Sequence, residues 1–581
     1  MKNLLKTLLL FQSFSTLQAG EIRDTMPDTW AATDALGRKL PMHDEVGSIK
    51  ANRTAGIFYF NWQDSFGNQE VYDIAKIIKK NHLNPAWGPV QAPHYWSEPR
   101  FGYYRPDDPW IIRKHIQMLV DAGVDVLILD VTNGFPYDNK RDALFTELEQ
   151  LQKEGRRTPQ IAMFAYANHQ AVVQHLWKNL YQPKKFQTLW FHWKGRPLLI
   201  TPTEGLSTEV KEFFTIRTSW AWTRGQTWFG NGKDKWPWLD HAPQLPGWHE
   251  SPDKPECISV AVSQHVTSNI GRSYHKSRQP SESEYKSELG LFFEEQWTHA
   301  LPHKPEFIFI TGWNEWVAQR FISDGRATFK GRILPTGETF FVDLYDPEFS
   351  RDIEPMRNGF GDNYYWQMIA GIRKYKGVRE MPAFSLPKTI SIPGSFSQWN
   401  DVQTRYLDDL HDTEHRDYDG VPGAGRYTNK TGRNDLDTFK VAYDSSNLYF
   451  YGSTREKLSS PTGKDWMVLL IDIDQNPLTG RLGYDFRINK NRFSPAKASV
   501  EKWNGKTWEP VGDAILQSES KELHLAVKRS LLRIEIGMLP QFDFKWTDNI
   551  PTETEGLDFL DVGDTAPNAR FNYRHTPTKR Q

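Results

Sequence analysis

Short apolar runs alternate with amphipathic helical segments from about residue 50 to residue 376, and this alternation restricts the fold more than any other feature. Nearly continuous apolar runs are typical of parallel strands that are buried on both faces. Repeated strand–helix units over roughly 320 residues predict a (β/α)8 TIM barrel, an α/β fold. A doubly wound open sheet is the alternative, although no GxGxxG loop follows the first run. The eight runs, the last of them weaker, are 55–60, 125–131, 160–166, 197–202, 213–222, 257–265, 307–313 and 340–345.

The chain of 581 residues is too long for one core, and its texture changes after residue 376. Residues 377–393 contain three prolines and little periodicity, which predicts a linker. From 394 to 581, short alternating runs are separated by Asn, Gly and Asp turns, which predicts an antiparallel β-sandwich. The predicted organisation is therefore a signal peptide (1–20), a barrel (21–376), the linker and the sandwich domain.

The first 20 residues are typical of a secretory signal peptide, with Lys2 and Lys6 ahead of an apolar stretch and small residues near Gly20. No stretch of about 18 apolar residues predicts a membrane span. Cys257 is the one cysteine, so no internal disulfide can form. An exported protein without disulfides suits the bacterial periplasm or extracellular space. The net charge of −1 gives no indication of a basic surface for nucleic acid. We expect a monomer.

The residues that follow each strand are the candidates for chemistry, because barrel active sites lie at the carboxyl ends of the strands. Glu315 follows the 307–313 run and is the predicted catalytic residue; a glutamate that only hydrogen-bonds substrate or an arginine is the alternative. Trp313 and Trp316 could remove water from Glu315 and raise its pKa, as a general acid requires. Asp130 is the candidate second carboxylate, or else a loop cap. Other candidate partners are Asp64, Asp240 and Glu250.

Amides, imidazoles and indoles share this rim with the carboxylates, and that combination suits a sugar. Hydroxyl groups pair with amides and carboxylates, and indole rings stack on pyranose faces. Zinc-ligand spacing, a P-loop and a GxSxG elbow are missing, so neither metal nor cofactor is expected at the site. The predicted substrate-binding residues are Asn61, Trp62, Asn133, His169, Trp220, Trp222, His265, Trp313, Asn314 and Trp316.

A long insertion, 218–256, holds six of the 23 tryptophans. It could form a wall of a sugar cleft or pack on itself as an Ω-loop. In the C-terminal region, Asp472, Asp474 and Asn476 alternate as in the start of a calcium loop, but position 12 is Gly483, so an EF-hand is excluded. A structural calcium site and turn carboxylates in water both remain open.

Three stretches, TGWNEW, DAGVDVLILDVTNG and WKGRPLLITP, resemble the glycoside hydrolase family 99 and 71 group, over roughly residues 50–376. The resemblance implies a (β/α)8 enzyme that acts on glycans; family 99 cleaves internal α-mannosidic bonds. In that family a second glutamate stands three residues after the first, where this chain has Ala318. Glu315 therefore carries over, whereas the second carboxylate and the mannosidase specificity do not. GDTAPNARFNYRH and TGRLGYDFRIN resemble the family 9 carbohydrate-binding fold.

Together these features predict an exported glycoside hydrolase that cleaves a poly- or oligosaccharide by carboxylate acid/base catalysis. Two alternatives stay open. One is a glycan-binding protein without activity, suggested by Ala318. The other is a polysaccharide lyase in which His265 or a tyrosine acts as the base.

Overall fold

The computed structural model describes residues 22–65, 67, 69–219, 230–240, 242–551 and 554–577. The predicted signal peptide lies outside these residues. Within them, no helix combines the length and the apolar character that a membrane span needs.

Parallel strands form the sheet of the first part of the chain, in the order β5–β4–β3–β2–β1–β7–β6. Ile57 of the central strand lies opposite Leu127 on one side and Ile310 on the other. All three are fully buried, as continuous apolar runs predict. The strands are β1 (Thr54–Tyr59), β2 (Val126–Val131), β3 (Gln160–Ala165), β4 (Arg196–Ile200), β5 (Thr215–Arg217), β6 (Pro255–Ala261) and β7 (Phe307–Thr311).

The sheet curls, so that aromatic rings from strands that are not neighbours come together on its inner side. Phe164 of β3 and Phe309 of β7 are separated by β2 and β1 in the sheet, yet their ring centroids lie 6.5 Å apart. Phe58 of β1 sits between them, 5.4 Å from Phe164 and 5.8 Å from Phe309. The inner face of the sheet is thus a packed aromatic core.

A closed eight-stranded barrel is not confirmed. Beyond β6 the sheet continues into the antiparallel strand Gly247–Trp248, which is linked towards β5 by isolated bridges, Lys233 to Trp248 and Lys235 to Thr218. The prediction of an eighth strand at 340–345 was wrong. Thr339–Phe341 pairs antiparallel with Val317–Ile322, which in turn pairs with Pro93–Tyr95. Residues 230–240 lie between β5 and Gly247–Trp248 instead: Lys235 bridges Thr218 in parallel beyond β5. This segment also contacts β7, because Thr311 Oγ1 donates to the carbonyl of Trp238.

Helices lie between the strands as predicted. Asp108 caps one of them, with its Oδ1 accepting from the Trp110 amide, and Pro109 occupies the first position. Gly123, at φ 82°, follows its end. A four-residue helix, His43–Val46, precedes β1; the longer helices are α1 (Ile74–Lys80), α2 (Pro109–Asp121), α3 (Asp138–Lys153), α4 (His169–Leu176), α5 (Thr208–Phe213), α6 (Leu291–Ala300) and α7 (Asn363–Lys376).

The C-terminal part is antiparallel, as predicted, but eleven of its described strands form one continuous hydrogen-bonded sheet, and Arg416–Asp419 pairs with Arg426–Asn429 in a separate hairpin. The sheet folds over so that Phe439 stacks on Trp546 with 5.7 Å between ring centroids. In sheet order the strands are Tyr406–Leu407, Leu436–Tyr443, Asn447–Thr454, Glu522–Lys528, Trp508–Glu519, Lys497–Trp503, Phe486–Ser494, Val468–Asp472, Phe542–Asp548 and Asp564–Ala566, with Tyr573–His575 also paired to Phe542–Asp548.

The two parts of the chain pack against each other. Trp366 of α7 lies edge-on to Phe571, with 4.8 Å between centroids. Arg416 Nε donates to Asp108 Oδ2 at 2.8 Å, so the cap of α2 is also an ion pair with the C-terminal part. Residues 377–391, within the predicted linker, contain neither helix nor strand.

Candidate active site

The ends of β1 and β7 are joined by the side chain of Asn314. Its Oδ1 accepts from the Phe60 amide at 2.9 Å, and its Nδ2 donates to the Phe60 carbonyl at 2.9 Å. Gln63 Nε2 donates to the Asn314 carbonyl at 2.7 Å. Asn314, which we predicted to bind substrate, is therefore engaged with main chain and positions the residue that follows it.

That residue, Glu315, is 7% exposed and lies at the end of a strand, as expected. Its Oε2 accepts from Arg351 Nη2 at 2.5 Å, and Arg351 is itself buried. The Glu315 amide donates to Asp352 Oδ1, which fixes the backbone at this position. The arginine also lies over the ring of Trp238, 5.2 Å from its centroid. Glu315 is thus held in a defined position by a charged partner.

A second carboxylate lies on the same arginine. Asp343 Oδ1 is 3.9 Å from Arg351 Nη2 and 3.2 Å from His265 Nε2. The Asp343 side chain is 36% exposed, and its backbone has φ 72°, in the left-handed region. Glu315, Arg351, Asp343 and the neutral imidazole of His265 therefore form a connected polar group, which we call the Arg351 cluster. The cluster extends from the buried carboxylate of Glu315 to the partly exposed carboxylate of Asp343.

Burial controls the pKa values in this cluster. It raises the pKa of Glu315 well above its usual range; Asp343 and Asp352 add to this effect, and Arg351 opposes it. Burial also raises the pKa of Asp352 to about 7, although Trp96 Nε1 donates to its Oδ2 at 2.6 Å. For His265, burial lowers the pKa to about 3, so this imidazole is neutral over the physiological range.

Asp130 is the last residue but one of β2 and is 1% exposed. Its Oδ2 accepts from Trp62 Nε1 at 2.6 Å and its Oδ1 accepts from the Thr132 amide at 2.9 Å. Burial raises its pKa, and the charge of Asp343 acts in the same direction, so Asp130 belongs to the same electrostatic environment. Trp62 thus contacts a predicted carboxylate as a hydrogen-bond donor.

The other predicted binding residues are dispersed. Asn61 is buried, and neither its Oδ1 nor its Nδ2 has a hydrogen-bond partner among the described residues. Asn133 is exposed, and His169 Nε2 donates to the Glu204 carbonyl at 2.8 Å at the start of α4. Trp220 and Trp222 lie outside the described residues. Asn61 is therefore the predicted polar residue with hydrogen-bonding capacity to offer a ligand.

The tryptophans beside Glu315 do not form a cleft wall, which corrects the interpretation of Trp313 and Trp316. Both are fully buried. Trp316 stacks on Trp96 at 4.6 Å and donates from Nε1 to Glu354, while Trp313 packs edge-on to His115 at 5.6 Å. Their rings exclude water from this part of the core and support the residues of the site.

The described part of the 218–256 insertion also packs inward. Trp236 is fully buried, with its ring 4.5 Å from that of Phe307, and its Nε1 donates to Glu256 at 2.8 Å. Trp238, 6% exposed, forms the surface under Arg351. These two rings therefore pack on the sheet and on Arg351, which neither the cleft-wall nor the self-packed prediction describes.

The other candidate carboxylates have partners of their own. Asp64 pairs with Lys140 at 2.6 Å, and exposed Glu250 pairs with Lys254 at 2.6 Å. Asp240 Oδ2 accepts from the Leu245 amide at 2.6 Å. None of these contacts brings them to Arg351.

Sequence reasoning missed the segment that completes the site. Asp343, Arg351 and Asp352 all lie between residues 343 and 352, and Glu354 follows. Such a dense run of charge is typical of an exposed loop, yet Arg351, Asp352 and Glu354 are buried. Buried charges are retained only where they have partners. The adjacent pair Arg351–Asp352, directly before the apolar residue Ile353, was therefore the available signal that this segment is buried.

In the C-terminal part, the carboxylates of Asp472, Asp474 and Asp485 offer oxygens within 4.8 Å of one another. The main-chain amide of Asn476 donates to Asp472 and Asp474, and its Oδ1 accepts from the Leu478 amide at 3.2 Å. A cavity of about 860 Å³ adjoins Asp472 and Asp474, and its lining does not include Glu315, Asp343 or Arg351. The calcium expectation remains a prediction.

Comparisons with known proteins give structures but no sequence relatives. A scan against protein-family models and a search of curated proteins return no match. Among solved structures, two of a GH99 endo-alpha-mannosidase from Bacteroides thetaiotaomicron align with TM-scores of 0.32, at 14% and 15% identity, covering 55% and 56% of this chain and 97% and 98% of theirs. A "Glycoside hydrolase-like protein" aligns with TM-score 0.32 at 12% identity, over 56% of this chain and 95% of that one. This is the family that the TGWNEW pattern resembles, but alignments this loose are no basis for assigning an activity.

Proposed function

We propose that this protein is a glycoside hydrolase whose catalytic carboxylates are Glu315 and Asp343. The observation that supports the proposal is that both carboxylates lie near Arg351: Glu315 is buried beyond the carboxyl end of the parallel strand β7, and Asp343 is partly exposed. Glycosidic cleavage requires one carboxylic acid that protonates the leaving oxygen and one carboxylate that acts as nucleophile or base.

The different surroundings of the two groups support a division of roles. Glu315 has a raised pKa through burial and so holds its proton to higher pH, which suits the general acid. Asp343 faces solvent in part and touches both Arg351 and His265, which suits an ionised nucleophile or base. Arg351 would keep the two groups in fixed relative positions and lower the cost of the negative charge on Asp343.

Asp130 is the second catalytic carboxylate that the sequence predicts. It is better suited to supporting the site than to acting as nucleophile or base. Both of its oxygens already accept hydrogen bonds, and it is buried. Asn61 is the proposed sugar-hydroxyl partner, since its unpaired amide could both donate and accept. Export to the periplasm or beyond is part of the proposal and depends on the N-terminal 20 residues.

A lyase fits less well. A lyase base must take a proton from carbon, and an imidazole with a pKa near 3 is a weak base. A glycan-binding protein without activity remains the competing function, and it would use the same rim.

The test is release of new reducing ends from a panel of polysaccharides by the purified full chain. We expect Glu315→Gln and Asp343→Asn each to lower turnover by about 10²–10⁴-fold, the usual contribution of such groups. Glu338→Gln is the matched control, because Glu338 is an exposed glutamate paired with Arg332 and should leave turnover unchanged. Unaltered turnover in Glu315→Gln would refute the assignment, and glycan binding by wild type without cleavage would favour the competing function.

A further inference from the structure

Three aspartates meet where the antiparallel sheet faces α2. Asp408 follows the strand Tyr406–Leu407, Asp412 lies in the turn after it, and Asp564 begins the strand Asp564–Ala566. Each offers a carboxylate oxygen within 4.8 Å of the other two. We call them the Asp408 cluster; they are distinct from the Arg351 cluster and from Asp472, Asp474 and Asp485.

Asp408 is the unusual member. It is 0% exposed, and neither of its carboxylate oxygens has a hydrogen-bond donor among the described residues. One oxygen of Asp412, Oδ1, is also buried without a partner. Buried carboxylates are normally paired or bound to metal, because burial without compensation is strongly unfavourable. Two side chains with unsatisfied oxygens pointing into one acidic group indicate a missing positive charge.

Lys114 and Lys545 attract the cluster through space, but their hydrogen bonds are made elsewhere, that of Lys114 Nζ to Gln117 Oε1 at 3.2 Å. Lys545 is fully buried, donates from its amine to the Pro567 carbonyl, and has a pKa that burial lowers to about 7. Arg156 Nη2 pairs with Asp409 at 3.1 Å.

A small cavity adjoins two members of the cluster. Its volume is about 20 Å³, and it is lined by Asp412 and Asp564, though not by Asp408, and from α2 by Lys114 and Gln117. This exceeds the about 10–15 Å³ that one water-sized particle needs. Gln117 Nε2 donates to Asp412 Oδ2 at 2.7 Å and to Asn568 Oδ1 at 3.0 Å, so amide oxygens are close by as well.

We propose that Asp408, Asp412 and Asp564 bind one calcium ion that joins the antiparallel sheet to α2. Carboxylate and amide oxygens are ligands for hard cations, and calcium accepts irregular sets of six to eight of them. Magnesium would demand near-octahedral geometry and usually keeps several waters, for which so small a cavity leaves little space. The ion would neutralise Asp408 in place of the hydrogen-bond donors that this carboxylate lacks.

The test uses the full chain after treatment with EDTA. Binding of Ca²⁺ is measured by calorimetry and by elemental analysis after dialysis, and stability by the thermal midpoint with and without excess Ca²⁺. We expect one ion at this site per chain and a midpoint that rises by several degrees, because a ligand that binds only the folded state stabilises it. Asp408→Asn should abolish both effects. Asp474→Asn, in the other acidic group, is the matched control and should retain both.

Asp408→Asn also distinguishes lost binding from lost folding. Without calcium it should melt at the temperature of calcium-free wild type or above, because one buried charge is removed from a repulsive group. No change in the wild-type midpoint with Ca²⁺, or an unchanged response in Asp408→Asn, would overturn the proposal and leave shared protons as the way the cluster is neutralised. An equal shift with Mg²⁺ would overturn the assignment to calcium.

Discussion

Arg351 Nη2 lies 2.5 Å from Glu315 Oε2, and both side chains are buried. Glu315 follows β7, whereas Arg351 lies 36 residues further along the chain, beyond the antiparallel strands. The ion pair therefore connects the strand end to a loop that folds back over it. A pair of this kind contributes little when compared with an apolar pair, but removing one partner leaves a charge in the core.

Arg351→Met should destabilise the protein by about 3–5 kcal/mol at a pH high enough to ionise Glu315, because it then leaves that carboxylate buried without its cation. Urea unfolding measures this loss. The double variant Arg351→Met with Glu315→Gln should recover a large part of it, since no charge then remains to be compensated. Equal losses in the single and double variants would show that Arg351 stabilises the fold by packing alone.

The stereochemistry of cleavage follows from the same arginine. Glu315 Oε2 and Asp343 Oδ1 lie 2.5 and 3.9 Å from one nitrogen, so the two oxygens cannot be further apart than the sum of these distances. That limit falls below the about 6.5–9.5 Å of inverting enzymes, and retaining enzymes have about 5–5.5 Å. We expect the first product to keep the anomeric configuration of the substrate, as proton NMR of the early reaction would show. A product of the opposite configuration would require another base, with Asp130 the next candidate.

The sequence predicted the strands of the parallel sheet well because their apolar runs are local signals. β7 and the position of Glu315 at its end follow directly from FIFIT and the residues after it. The N-cap of α2 at Asp108 could be predicted equally well, because the Asp–Pro pair acts within one turn of the helix. Local patterns of this kind do not depend on distant contacts.

The partner of Glu315 could not be predicted from such patterns. Asp343 lies in a run that alternates like a strand, but its left-handed backbone and its contacts depend on how residues 339–354 fold over the strand ends. Trp313 and Trp316 are similar: indole rings next to a catalytic carboxylate suggest a cleft, whereas the contacts with Trp96 and His115 place them in the core. Burial of a ring depends on tertiary packing that the flanking residues do not reveal.

Stability should depend on pH through Asp352. Its pKa is raised from 3.8 to about 7 in the folded protein, so between these values the folded state binds more protons than the unfolded state. The free energy of unfolding therefore falls as pH rises from about 4 to about 7, by at most about 1.4 kcal/mol per pH unit for this group.

Asp352→Asn should flatten that fall, because the titrating group is gone. The variant will also be less stable overall, since a single amide oxygen cannot accept from both Trp96 Nε1 and the Glu315 amide. The measurement is urea unfolding of both proteins across this range. Parallel pH profiles would mean that Asp352 is ionised in the fold throughout, held by Arg272 and Arg351.

Trp62→Phe should cost about 1–3 kcal/mol beyond the loss of ring volume, because Asp130 Oδ2 loses its donor while remaining buried. Trp313→Phe is the matched control: Trp313 is fully buried, and its Nε1 has no hydrogen-bond partner among the described residues, so only volume is lost. The excess cost of Trp62→Phe should be present at neutral pH and shrink as Asp130 becomes protonated, since a neutral carboxyl accepts the indole proton more weakly. Chemical unfolding of both variants at several pH values measures the excess, and equal costs at every pH would mean that the bond to Trp62 does not hold Asp130 in place.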